Sequence, residues 1–262
     1  DHAGTFITGK KNRNLIIMTT VSHLKVKIFA DGADFDGMVK MYENPLIKGF
    51  TTNPTLMKAA GVSDYVTFAR RVLKAIPDRP VSFEVFADEP DEMKRQATEI
   101  ASWGKNVNVK IPITTTKGEL LAPLVGELSA SGIAVNVTAV FTLEQVQAIA
   151  DVLNPEVFAI VSIFAGRIAD SGIDPVPLMA SAAKMLERHP KADLLWASPR
   201  EILNILQADQ TGCGIITVTN DLLKKLPLVG KDQDEYSLET VQMFYNDATK
   251  ADYKIQLPDA SH

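Results

Sequence analysis

The 262-residue sequence is poor in cysteine and histidine, with one of the first and four of the second. A single cysteine, Cys213, excludes an intramolecular disulfide framework and any multi-cysteine metal site. It fits a reducing, cytoplasmic compartment. The histidines at 2, 23, 189 and 262 form no i, i+4 pair, so no helical zinc motif is present. No apolar run reaches the roughly 18 residues of a membrane-spanning helix. Even Val157–Gly166 is too short and ends at Arg167. There is no P-loop and no serine-centred nucleophile elbow, and the first strand–helix turn carries no G-x-G-x-x-G. The net charge of -5 argues against sequence-independent binding to nucleic acid. A hydrophobic fraction of 46% excludes a disordered chain.

What the sequence does contain is a rhythm. Short β-rich runs begin at Lys25, Gly49, Val81, Val107, Ala134, Val157, Asp193 and Cys213. They recur about every 27 residues, the length of a strand, a helix and two loops. Helical patterns fill the gaps. Tyr65, Phe68 and Val72 lie at helical spacing within 62–75, and Pro90 opens a helix running to Trp103. Thr142 and Gln145 form a capping box ahead of a helix ending near Leu153. Asp174-Pro175 opens another that stops at His189-Pro190. Eight such units without a composition break predict one α/β domain, a (β/α)8 TIM barrel spanning residues 25–253. An open doubly wound sheet is the alternative. A last amphipathic helix, Ser237–Tyr253, lies outside the eight units. Residues 1–24 read as a leader or appended segment and 254–262 as a loose tail.

Buried barrel strands should be nearly all apolar. Here polar residues interrupt them with period 2. Asn108 and Lys110 oppose Val107, Val109 and Ile111. Ser82 and Glu84 oppose Val81, Phe83 and Val85. Asn136 and Thr138 oppose Val135, Val137 and Ala139, and Ser162 and Phe164 oppose Val161 and Ile163. The polar sets then converge inside the barrel near its C-terminal mouth. Asp31 and Asn53 close strands 1 and 2, Arg167 follows strand 6, and Ser198 and Arg200 follow strand 7.

Each residue has two readings. Lys110, set among Val109, Ile111 and Pro112, is a desolvated amine able to attack a carbonyl, or a strand-end lysine snorkelling to water. Glu84 is a general acid/base or the ion-pair partner of Lys110. Asp31 moves a proton on a substrate hydroxyl or serves the Asp31-Gly32 turn. Asn53 sits in a turn before a helix near Thr55. Asn136 and Thr138 bind a hydroxylated ligand or are satisfied core groups. Arg167 and Arg200 grip a phosphate or form surface ion pairs, Arg200 with an acid on its own helix. So many buried polar groups together favour chemistry.

Five segments resemble, in order, those of the transaldolase family, in particular its short subfamily that includes fructose 6-phosphate aldolases. They are GFTTNPTLM (Gly49–Met57), NVKIPIT (Asn108–Thr114), NVTAVFT (Asn136–Thr142), SIFAGRI (Ser162–Ile168) and WASPRE (Trp196–Glu201). The resemblance spans about Lys25 to Tyr253. It implies an (α/β)8 barrel and a Schiff base between Lys110 and a ketose. It implies that Asp31 takes the proton of the C4 hydroxyl, and that Glu84 and Thr138 hold a water for proton shuttling. Asn53, Asn136 and Ser162 would bind donor hydroxyls, and Arg167, Ser198 and Arg200 the phosphate. No metal or organic cofactor is implied. The family's aldolase branch tends to carry Gln at position 84 and Tyr at 164. Glu84 and Phe164 resemble the transferase state.

The expected activity is therefore transfer of a dihydroxyacetone unit from fructose 6-phosphate or sedoheptulose 7-phosphate to an aldose phosphate. Acceptor-independent cleavage and transfer from another anionic ketose are the alternatives. A non-catalytic sugar-phosphate binder is a third reading, and the inward polar set argues against it. The expected partners are sugar phosphates, with no nucleic acid or membrane. Short family members form rings of five or ten subunits through the C-terminal helix, which implies a homo-oligomer. Leu238, Val241, Phe244 and Tyr245 give that helix an apolar stripe.

Overall fold

The computed structural model describes residue 21 and residues 23–257. The expected leader, except Val21, His23 and Leu24, and the tail beyond Leu257 lie outside the described residues. The chain divides into two compact units, one spanning Ser22–Lys225 and the other containing the described residues from Leu226 to Leu257.

The first unit is a closed barrel of eight parallel strands in sequence order. They are β1 Lys27–Asp31, β2 Ile47–Thr51, β3 Val81–Glu84, β4 Val107–Pro112, β5 Val135–Val140, β6 Ala159–Ile163, β7 Ala192–Trp196 and β8 Ile215–Thr219. Closure leaves no sheet edge unpaired. Helices alternate with the strands. α1 is Phe35–Tyr42, α2 Pro54–Ala59, α3 Tyr65–Ala75, α4 Pro90–Ser102 and α5 Ala122–Ala130. α6 is Leu143–Ala150, α7 Ala165–Asp170, α8 Val176–Leu186, α9 Leu203–Gln210 and α10 Asn220–Leu223.

Local chemistry sets several helix starts. The Asp34, Asn53 and Asp64 side chains accept the N–H of Gly37, Leu56 and Thr67. The Thr142/Gln145 capping box forms in full. The helix expected from Val62 begins later, at Tyr65, because Asp64 caps it.

Alternate residues of each strand point into the barrel. The interior is layered. On β1, Lys27 lies at the floor, Phe29 in the middle and Asp31 at the mouth. Phe29 packs with Ile160, Leu195, Ala197 and Ile215 into an apolar plug. Gly49 on β2 makes room for the Phe29 ring, whose Cζ lies 2.5 Å from where a Cβ would stand. Ser82, Asn108, Lys110, Asn136, Thr138, Ser162 and Thr217 are buried polar residues on the inward positions.

The second unit holds α11, Gln233–Lys250. It starts four residues before the expected Ser237, because the Asp232 side chain accepts the Glu235 N–H. None of its residues is buried, and Leu238, Val241, Phe244 and Tyr245 are exposed.

Candidate active site

The barrel mouth opens into a pocket of about 650 Å³. The eleven residues singled out from the sequence all line it: Asp31, Asn53, Glu84, Lys110, Asn136, Thr138, Ser162, Phe164, Arg167, Ser198 and Arg200.

Lys110 sits on β4 at its floor, only 7% exposed. The β3–β4 register sets Glu84 directly beside it. Lys110 Nζ lies 3.3 Å from Glu84 Oε2 and donates to the Thr52 carbonyl at 2.9 Å. The lysine therefore does not snorkel to solvent. Desolvating two charges costs free energy that their attraction only partly returns. A buried pair of this kind is therefore a poor source of stability.

Asp31 ends β1 and faces the same space. Thr51 Oγ1 donates to Asp31 Oδ1 at 2.8 Å and also shares a short hydrogen bond with Thr217 Oγ1. Burial raises the proton affinity of Asp31 above the ordinary carboxylate range. The Lys110 charge and hydrogen bonds from Thr51 and Asn53 pull it back in part. Asn53 also serves its expected turn, since its Oδ1 caps α2 at 2.9 Å from the Leu56 nitrogen. One side chain thus starts a helix and bonds the Asp31 carboxyl.

Asn136 lies beside Lys110 in the β4–β5 register. Its amide donates to Ser82 Oγ at 3.0 Å, and its oxygen accepts from Ser162 Oγ at 2.6 Å. Thr138 stands two residues along β5, across from Pro112. Next to it Ala139 adopts a φ of +58°, where the β5–β6 register shifts. Such a bulge re-aims the strand at the pocket rim.

The far end of the pocket is cationic. Phe164 caps α7 and packs against Phe141 at 5.8 Å between centroids. The Arg167 guanidinium lies 5.5 Å from the Phe164 ring centre. Arg200 Nε donates to Asp170 Oδ1 at 3.0 Å, and its Nη2 pairs with Asp170 Oδ2. Asp170 ends α7, so the acid is not on the helix following Arg200, as the sequence suggested. The pairing holds the Asp170 carboxyl below its usual range. Ser198 has a φ of +60°, a strained value for a residue with a Cβ. A Cβ at Gly166 would overlap the Ser198 carbonyl oxygen, so glycine lets this loop close over α7.

Among the residues at the site that escaped the sequence reading are Thr51 and Thr217. Both line the pocket. The same period-2 pattern marks them: Thr51 follows inward Gly49 on β2, and Thr217 stands between Ile216 and Val218 on β8. Among the described residues, no three His, Cys, Asp or Glu side chains come together as a metal site, and no helix is long and apolar enough to cross a membrane.

The pocket thus joins a buried primary amine, two carboxyl groups and a set of amides and hydroxyls to a pair of guanidinium groups at its far end. A polyhydroxylated carbonyl compound with an anionic terminus fits that order.

The chain matches the family model for transaldolase/fructose-6-phosphate aldolase over residues 28–258. It is 35% identical over 202 residues to a "Probable transaldolase" of Dehalococcoides mccartyi, covering 77% of this chain and 90% of the relative. It is 34% identical over 214 residues to "Probable transaldolase 2" of Listeria monocytogenes, covering 79% and 92%. A "Probable transaldolase" of Methanococcus maripaludis is 32% identical over 202 residues, covering 77% and 89%.

Proposed function

From its membership of the transaldolase/fructose-6-phosphate aldolase family, we propose that this chain is a transaldolase using Lys110 as its Schiff-base nucleophile. The observation that carries the reading is the seating of Lys110. Its amine is buried, 3.3 Å from Glu84, in a pocket that also holds Asp31 and two arginines.

Glu84 takes a proton from the Lys110 ammonium beside it, and the freed amine attacks C2 of fructose 6-phosphate or sedoheptulose 7-phosphate to form a carbinolamine. Glu84, with a water held by Thr138, moves protons so that the carbinolamine loses water and leaves a protonated imine. Asp31 takes the proton of the C4 hydroxyl. The C4 oxygen becomes a carbonyl, the C3–C4 bond breaks, and its electron pair enters the imine to give an enamine. The aldose phosphate leaves. The enamine carbon then attacks the aldehyde of an acceptor, Asp31 returns the proton, and water releases the new ketose from Lys110. The raised proton affinity of Asp31 suits a group that must hold and return a proton. Asn53, Asn136 and Ser162 bind the hydroxyls of the retained three-carbon unit. Arg167, Ser198 and Arg200 hold the phosphate.

Phe164 favours transfer over simple cleavage. A phenyl ring donates no hydrogen bond to help water release the three-carbon unit. We place the reaction in the cytoplasm. We further propose a homo-oligomer, a pentamer or decamer, that buries the exposed stripe of α11.

The test is glyceraldehyde 3-phosphate release from fructose 6-phosphate, with and without erythrose 4-phosphate. Sustained release only with the acceptor is expected. Equal release without it makes the enzyme an aldolase, and no release under either condition moves the search to another donor.

A further inference from the structure

The barrel is closed, but its β2–β3 seam, like the β7–β8 seam, is held by only two residue pairs, and it runs beside the buried lysine. Strands β3 and β4 pair along four residues, from Val81 with Val107 to Glu84 with Lys110. Strands β2 and β3 pair only at Phe50–Val81 and Thr51–Ser82. Past Thr51 the chain leaves the sheet to start α2. A buried backbone group without a partner costs free energy, so the groups left on β3 need other partners.

Side chains supply them. Thr52 Oγ1 donates to the Ser82 carbonyl at 2.8 Å. The Glu84 N–H donates to the Tyr65 hydroxyl at 2.8 Å, and that hydroxyl donates to the Glu84 carbonyl at 3.0 Å. One phenol thus satisfies both backbone groups of one residue, using its proton and a lone pair. Its ring is fixed. It packs against Phe86 at 4.5 Å, Trp103 at 5.7 Å and Phe83 at 6.1 Å between centroids. Trp103 is itself held by its Nε1–H bond to Glu99 at 2.9 Å. Burial raises the phenol's pKa, so it keeps its proton.

We infer that Tyr65 is a positioning residue for the reaction, standing in for the missing β2 partner and fixing the Glu84 carboxylate against Lys110. The inference rests on the reading above in which Glu84 moves protons during imine formation. Tyr65 lines no part of the substrate pocket, so its effect must pass through Glu84. Without the hydroxyl, Glu84 keeps its β4 register but loses its tether on the β2 side. Displacing a reacting group by about 1 Å costs on the order of a hundredfold in rate.

The experiment is rapid-quench borohydride trapping of the imine with fructose 6-phosphate, for wild type, Tyr65→Phe, Glu84→Ala and the double variant. Phenylalanine keeps the ring stack and deletes only the hydroxyl. Tyr65→Phe is expected to slow imine formation about 10- to 100-fold, with KM within about twofold. In the Glu84→Ala background the same change should add no further slowing. Equal slowing in both backgrounds would mean a general structural role and overturn the inference. Slowing by Glu84→Ala but not by Tyr65→Phe would reject Tyr65 alone. Imine formation unchanged by Glu84→Ala would reject the role of Glu84, and the inference with it. Should Tyr65→Phe not fold, 3,5-difluorotyrosine at position 65 keeps ring and hydroxyl but weakens the oxygen as acceptor. A graded slowing is then expected, and an unchanged rate overturns the inference.

Discussion

The barrel holds two inward lysine–carboxylate pairs, one at each end, with the apolar plug around Phe29 between them. At the floor Lys27 on β1 pairs with Asp193 on β7. At the mouth Lys110 on β4 pairs with Glu84 on β3. The side-chain types are nearly the same and the surroundings are opposite. The Lys27 side chain is 45% exposed and that of Lys110 only 9%. Lys27 faces water, where ammonium is well hydrated and unreactive. Lys110 donates to a backbone carbonyl and looks into a pocket with Asp31 and two arginines. On the proposed reading, what would make Lys110 a nucleophile is its depth in the barrel and its company. Pairing with an acid is common to both.

Exchanging the two lysines' side chains is the largest test of that contrast. Lys110→Met should abolish turnover and the borohydride adduct, and Lys110→Arg should do the same while keeping a cation beside Glu84. A guanidinium stays protonated and forms no imine. Lys27→Met should leave kcat/KM within about twofold, as for other exposed ion pairs. Comparable activity losses at both positions would break the comparison.

Asp31 sharpens it next. Asp31→Asn should lower kcat about 10²- to 10⁴-fold, the usual worth of a positioned acid/base. The same variant should melt at a higher temperature. The folded protein holds the Asp31 proton more tightly than the unfolded chain does. Between the unfolded and the folded pKa the native state therefore binds more protons, so stability falls as pH rises through that window. Above it the buried carboxylate is a standing cost, which asparagine removes. A pH series of melting temperatures should show the gain of Asp31→Asn vanish toward acid. A gain that persists below the carboxylate range would contradict this account.

Gly166 tests the far end of the mouth. An alanine there would meet the Ser198 carbonyl, and strain of about 1–3 kcal/mol must be relieved by moving the loop. The loop carries Ser198 and Arg200. KM for a phosphorylated donor should rise about tenfold, the equivalent of about 1.4 kcal/mol. An unphosphorylated ketose should lose much less. Equal losses for both donors would remove Ser198 and Arg200 from the phosphate site.

The mouth was more legible in the sequence than its supports. Lys110, Glu84, Asn136 and Ser162 stand out because each interrupts an apolar alternation. Arg167 and Arg200 follow strands, where barrel ligands bind. Thr51 and Thr217 are written in the same pattern, but threonine is a common strand residue and attracts no notice. Tyr65 falls in a helical stripe with Phe68 and Val72, so it reads as core. No local signal tells that β2 leaves the sheet at Thr51 and that a helix residue fills its place. The Arg200 partner is likewise a long-range matter, since Asp170 lies thirty residues away. Closure of the strands followed from their count and spacing. Gly49 became explicable only once the ring of Phe29 was seen against it.

The smallest expected effect returns to the floor. Lys27 and Asp193 are both partly solvated, so their attraction is screened and their removal leaves no buried charge. A double-mutant cycle of Lys27→Met and Asp193→Asn, followed by urea unfolding, should give a coupling of at most about 1 kcal/mol. That coupling should shrink further at high salt. At the mouth, by contrast, removing one partner strands the other away from water. Lys110→Met should therefore alter stability more than Lys27→Met, although it deletes the same charge. If the floor pair proved the stronger of the two and insensitive to salt, depth in the barrel would not be what separates them.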